Sequence, residues 1–183
     1  GDEIAYQHFA LFSGGNDSLV STHKVMESGK GDCVIHINTG IGIDETREYV
    51  KSVCNEYDWP LEIIESDTDY EEFIERYGFP KPGNHNYVYR YLKEHALSSF
   101  ASKCRNMPYF YTGVRKSESE RRKMNVSEGY GNSWYWKTPI ADFEESDLEE
   151  YKKDHNLPVN PVTEIMDMSG ECLCGAYFDR VSN

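Results

Sequence analysis

Positive charge is what this sequence has least of: 19 Lys and Arg stand against 32 Asp and Glu in 183 residues, a formal net charge of −13. That balance excludes unaided attraction to nucleic acid or to an anionic membrane, so any polyanion must be met by a local cluster of cations. Such acidity fits a halophilic or simply a very soluble surface, and composition does not separate the two. Long apolar runs are missing too. Nothing approaches the ~18 to 20 residues of a membrane-spanning helix, and the chain does not open on a basic stretch followed by an apolar leader core. The expectation is a cytoplasmic protein with no membrane partner. The five cysteines are an odd count, which argues against a complete disulfide framework and leaves reduced thiols or a metal site. No internal repeat is evident, and the length predicts one domain over 1–183.

Against that background one stretch stands out. Ser13-Gly14-Gly15-Asn16-Asp17-Ser18 follows the apolar run His8–Phe12 and precedes Leu19–Met26, which reads as strand, tight loop and helix. Adjacent glycines let backbone amides turn toward a ligand, and the helix N-terminus that follows carries partial positive charge, so phosphate is the natural guest. The same residue types also populate ordinary polar turns. No lysine ends the loop as in GxxxxGK[ST], and it is not a dinucleotide GxGxxG turn.

Along the rest of the chain, Gly29 predicts the end of the first helix. Cys33–Asn38 predicts a buried parallel strand ending at Thr39-Gly40. Asp44 can cap a helix with Val50, Val53, Cys54 and Tyr57 on one face, and Leu61–Glu65 predicts a third strand. Cys33 and Cys54 read as core. A helix over 70–77, a Pro/Gly loop over 79–85, a helix over 87–100 and a strand over 109–112 complete the alternation. Together these imply right-handed crossovers and ligands at the carboxyl ends of the strands.

The densest cationic cluster, Arg115-Lys116 with Arg121-Arg122, follows Gly113. Arg115 sits just past a predicted strand end, where a guanidinium grips two phosphate oxygens at once. For Arg121 and Arg122 an exposed helix start with a Glu118–Arg122 surface pair is an equal reading. Residues 130–136 read as a flap or a satellite hydrophobic cluster, 134–140 as a late strand, and 144–155 as an acidic helix with Leu148 and Tyr151 inward and its charges solvated.

Ser13–Ser18 resembles the SGGxDS signature of the PP-loop ATP pyrophosphatases. The order of later motifs is similar to their phosphoadenosine phosphosulfate reductase-like branch: Asn38-Thr39-Gly40, Tyr91-Leu92-Lys93, Thr112-Gly113-Val114-Arg115 with Glu118-Ser119, Pro139–Phe143 and Leu157-Pro158-Val159-Asn160-Pro161. The resemblance implies an α/β fold, an open five-stranded parallel sheet with helices on both faces and an adenine nucleotide at the strand ends. It implies ATP or a related nucleotide, held by Ser13, Gly14, Gly15, Asn16, Asp17 and Ser18 at its phosphates, by Thr39 and Gly40 near the adenosine, and by Gly113 and Arg115. Lys93 and Arg115 would neutralise charge, and Asp17 would orient the loop or hold Mg²⁺ through water.

The branch carries two chemistries. One cuts ATP between its α and β phosphates to adenylate a substrate, in sulfur or nucleic-acid-modification chemistry, and its implied partners are a small-molecule nucleotide and a sulfur donor or other protein. The other reduces a sulfonucleotide with a cysteine thiolate. A nucleotide-binding subunit that does not turn ATP over is a further alternative, and an oligomer is left open. The segment 169–175 arbitrates. Glu171-Cys172 begins like a reductase tail, but Leu173-Cys174 replaces what should follow, and no histidine comes after. Cys172 is thus the candidate thiol nucleophile, while Cys172 with Cys174 is alternatively an inert pair, a redox or sulfur-carrying pair, or two ligands of zinc or an iron–sulfur cluster.

Overall fold

The computed structural model describes residues 3–38, 44–65, 85–117, 129–130, 133–158 and 160. Its framework is a sheet ordered β3-β2-β1-β4-β6-β5. β1 (His8–Leu11) pairs in parallel with β2 (Cys33–Asn38) on one side and β4 (Tyr109–Tyr111) on the other. β3 (Leu61–Glu65) extends the first side and β6 (Tyr135–Lys137) the second, both parallel. The five expected parallel strands are therefore present. The two-residue β5 (Gly129–Tyr130) adds an antiparallel edge on β6, too short for its pattern to stand out in the sequence.

The central strand β2 is largely apolar on both faces because both are covered. α1 (Asn16–Glu27), α2 (Asp44–Glu56) and α4 (Glu145–Asp154) share one core with Phe12 and Val34, through Leu19, Val20, Val50, Val53, Cys54 and Leu148. α3 (His85–Ala101) covers the opposite face, where Ala96, Leu97, Phe100 and Ala101 meet Phe9, Cys33, Ile35, Ile37, Phe110 and Trp134. Period-2 alternation accounts for this split: Phe9 and Phe110 turn to one side, Ala10 and Tyr111 to the other. Trp134, expected in a flap or a satellite cluster, is buried in the α3-side core.

Helix ends follow their chemistry. α1 stops at Glu27, two residues before Gly29. α4 starts with a reciprocal capping box between Glu144 and Asp147. Strand order reverses between β2-β1 and β4-β6, which places the crevice of an open α/β sheet beyond the carboxyl ends of β1 and β4. The expected helix over 70–77 and the expected loop over 79–85 lie outside the described residues, apart from His85, which opens α3 rather than closing the loop.

Candidate functional site

β1 delivers Ser13 to that crevice and α1 begins at Asn16, so Gly14 and Gly15 make the turn. Gly14 adopts φ +98°, a backbone region that side chains disfavour. A Cβ at Gly14 would stand 2.5 Å from Thr46 Cγ2 of α2. The two serine hydroxyls close the turn. Ser18 Oγ accepts the Ser13 amide at 3.1 Å and lies 2.9 Å from Ser13 Oγ, while Ser13 Oγ accepts the Gly15 amide at 3.3 Å. Ser18 Oγ donates to the Gly15 carbonyl at 3.2 Å. One proton arrangement satisfies all of these, with the Ser13 hydroxyl donating to Ser18. Among the described residues no side chain bonds at the N-cap of α1, which is Gly15, so the partial positive charge of the helix start faces this edge.

β4 supplies the second wall. A Cβ on Gly113 would lie 2.7 Å from Ser18 N and 2.8 Å from Asp17 C, so glycine lets the segment after β4 run directly against the start of α1. Ser21 Oγ donates to the Thr112 carbonyl at 3.1 Å and reinforces the same contact. The Thr112 hydroxyl is buried with no hydrogen-bond partner among the described residues.

This close approach seats Arg115, whose side chain is 4% exposed, beside Asp17. Its Nε donates to Asp17 Oδ2 at 3.1 Å, its Nη2 to Glu145 Oε2 at 3.1 Å and its Nη1 to Ser117 Oγ at 3.4 Å. Asp17 is 29% and Glu145 73% exposed. A buried guanidinium stays charged and is tolerated only with such partners. The donors that would grip phosphate are here shared between two carboxylates, and an arriving anion competes for them.

Two buried side chains brace the turn from behind. His36 on β2 donates Nδ1–H to the Phe12 carbonyl at 2.9 Å, just before the loop. Asn160 Nδ2 donates to the Gly14 carbonyl at 3.0 Å.

Of the residues singled out in the sequence, Ser13, Gly14, Gly15, Asn16, Asp17, Ser18, Gly113 and Arg115 converge on this crevice. Lys93 is half-buried on α3, the helix of the opposite face. Thr39, Gly40, Cys172, Cys174 and the Glu118–Arg122 segment lie outside the described residues. Sequence reasoning missed Thr46, whose polar side chain interrupts no apolar pattern, and His36, hidden in a strand. It counted Glu145 among solvated charges. Asn160 stood in a segment marked as family-like, without a role.

Among the described residues no three His, Cys, Asp or Glu side chains converge as a metal cluster. Asp17 with phosphate oxygens and water is the kind of partial set that suits Mg²⁺, which rarely takes an all-protein cage. The described thiols do not suit a cluster or a nucleophile. Burial pushes Cys33 and Cys54 up to about 12, and burial also raises Cys104; each stays a neutral thiol.

Comparison with known proteins agrees with this architecture. A protein of Methanocaldococcus jannaschii of uncharacterized function is 29% identical over 143 residues, covering 75% of this chain and 33% of its own length. The chain thus spans about a third of that curated relative. Among solved structures, the phosphoadenylyl-sulfate (PAPS) reductase of Candida auris in its phosphate complex superposes with a TM-score of 0.61 at 18% identity, over 87% of this chain and 77% of that one. The NH₃-dependent NAD synthetase of Campylobacter jejuni gives 0.59 at 19%, over 82% and 64%. The U34-tRNA thiolase of Methanococcus maripaludis with its [4Fe–4S] cluster gives 0.57 at 19%, over 87% and 59%. At these identities the structures speak to fold alone, a PP-loop fold shared by nucleotide-using enzymes. Residues 7–165 match the phosphoadenosine phosphosulfate reductase domain, and the chain belongs to that family.

Proposed function

We propose that this domain binds ATP with its phosphates on the Ser13–Ser18 loop and cleaves it between the α and β phosphates to adenylate a substrate. The observation that carries the reading is the seating of Arg115 against Asp17 at the uncapped start of α1. It fixes a guanidinium beside the first turn of that helix, held by Asp17 and Glu145 until an anion competes for it, in a protein whose net charge is −13. In this reading a substrate oxygen attacks the α phosphorus, and the bond to the β-phosphate oxygen breaks. Pyrophosphate leaves with that electron pair. The loop amides with Ser13 and Ser18 hold the departing phosphates, while Arg115 offsets the charge that develops. The protein supplies position and electrostatics rather than a nucleophile of its own. Asp17 would hold Mg²⁺, which when bound spreads the phosphate charge. Thr39-Gly40 would lie by the adenosine, and a sulfur donor or nucleic-acid-modification partner would take up the adenylated product.

A second reading is sulfonucleotide reduction, favoured by the family match. Because Cys33, Cys54 and Cys104 are all held as neutral thiols, its nucleophile would be Cys172 or Cys174. One experiment separates the readings: ATP and sulfonucleotides assayed side by side, following pyrophosphate and sulfite. Pyrophosphate that disappears in Ser13→Ala/Asp17→Ala supports adenylation. Sulfite that survives in both Cys172→Ser and Cys174→Ser removes a C-terminal cysteine nucleophile. Tight ATP binding with neither product identifies a nucleotide-binding subunit. Metal analysis with a visible spectrum of the purified chain tests whether Cys172 and Cys174 hold zinc or an iron–sulfur cluster.

A further inference from the structure

The Gly14–Gly15 peptide is the part of the loop with the greatest freedom to turn over. Neither residue has a side chain, and Gly14 sits at φ +98°. The Gly14–Gly15 peptide is trans, as are all those among the described residues, so the Gly14 carbonyl and the Gly15 N–H point in opposite directions from one plane. Whatever fixes the carbonyl fixes the amide. Asn160 grips that carbonyl at 3.0 Å, and the Gly15 amide accordingly points into the turn, where Ser13 Oγ at 3.3 Å is the acceptor that a bound phosphate oxygen would have to replace or share.

Asn160 is well placed to hold rather than merely touch. It is 1% exposed, so water does not compete for its bond to the Gly14 carbonyl. The segment leading to it is anchored separately: Leu157 is in the core with α1 and α2, and Tyr49 of α2 donates to the Pro158 carbonyl at 2.8 Å. On the other side, Thr46 of the same helix closes the space over Gly14.

We infer that Asn160 is a positioning residue that sets the orientation of the Gly14–Gly15 peptide, and so decides whether the Gly15 amide is presented to a bound phosphate. The inference rests on the nucleotide reading for its functional consequence, but its geometric content stands apart from it.

The test uses the full chain, ¹⁵N-labelled, with Asn160→Ala and Asn160→Asp. In Asn160→Ala the Gly15 amide resonance should move and its hydrogen exchange accelerate, without any ligand. Inorganic pyrophosphate, the probe, should bind about tenfold more weakly, the loss of roughly one hydrogen bond's orientation. In turnover, kcat should fall while KM for ATP changes less. Asn160→Asp keeps the shape but sets an acceptor against a carbonyl, so it should be worse than Ala. A packing role predicts the reverse order. An unmoved Gly15 amide, or Asp equal to Asn in pyrophosphate affinity, overturns the inference. If Asn160→Asp fails to fold, the Ala variant and its amide shift still decide. A wild-type chain that binds neither pyrophosphate nor ATP defeats the nucleotide reading, and the Gly15 amide then judges the latch alone.

Discussion

The two ends of α1 make opposite use of the same helix. At its start the sequence is small and polar, the N-cap makes no side-chain hydrogen bond, and Asp17 is drawn into an ion pair with Arg115. About two turns later His23 is buried amid aromatic rings, its Nδ1 within 2.8 Å of the Tyr151 hydroxyl. It packs edge-on to Tyr57 and lies 4.9 Å from the His155 ring. Trp59 stacks on Tyr57 and donates to Glu27 at 3.0 Å. The first end keeps donors in reserve for a ligand, whereas the second uses its groups to pack. One helix thus carries a binding edge on a stability anchor, and substitutions at the two ends should fail in different ways.

The largest effect is expected at Gly113→Ala. The added methyl meets backbone atoms of Asp17 and Ser18, which cannot rotate away, so β4 and α1 must part. Overpacking of this kind costs about 1–3 kcal/mol, and pyrophosphate release should drop by roughly 100-fold, since angstrom-scale misplacement has such consequences. Thermal melting together with a turnover assay checks it; unchanged turnover would remove the β4 tail from the site.

Arg115→Met comes next. Its carboxylate partners are partly exposed and regain water, so the stability loss should be about 1–3 kcal/mol rather than the ~3–5 typical of a fully buried pair. ATP affinity should fall far more than that of a His23 variant. Isothermal titration of both variants measures the contrast, and equal losses would erase it.

The anchor end should respond to pH. Burial first, then the nearby His155, lowers the pKa of His23, against a smaller opposing pull from Glu27. The folded state therefore resists protonation more than the unfolded chain. Stability from this site is full above the unfolded value of ~6.5 and declines as pH falls through it toward the lower folded pKa, by about 1.4 kcal/mol per unit of separation. Denaturant midpoints from pH 8 to 5 should show this decline, and His23→Gln should flatten it. A slope that survives His23→Gln would assign the effect to other groups.

The smallest effect belongs to Glu145→Gln. With its side chain 73% exposed, this partner of Arg115 should contribute under ~1 kcal/mol to stability. Loss of its charge releases one guanidinium donor, so ATP should bind slightly more tightly, a change visible at low salt and faded at high salt. Weaker binding would make Glu145 a support of the guanidinium rather than a competitor.

The binding end was far more legible in the sequence than the anchor. Ser13–Ser18 and Gly113-Val114-Arg115 are short local patterns whose residue types answer directly to backbone geometry and charge. The parallel sheet was legible too, because Cys33–Asn38 is largely apolar on both faces, as a doubly covered strand tends to be. Asn160 and Glu145 were not, because their partners are set by tertiary approach across 146 and 30 residues. Nor does any local pattern announce that His23, Tyr57, Trp59 and Tyr151 will meet. The antiparallel β5 was missed because two residues carry no period.

The long reach of the Gly14–Asn160 bond also sets an order of events during synthesis. β1 is made early, yet one of its neighbours, β4, arrives about a hundred residues later, with His8 opposite Tyr109. The carbonyl of Gly14 waits longer still for Asn160. A nascent chain on the ribosome therefore carries an incomplete loop until almost the whole domain has emerged, and such non-local closure is slow. Nucleotide offered to the growing chain should find no finished cradle until residue 160 has cleared the exit tunnel.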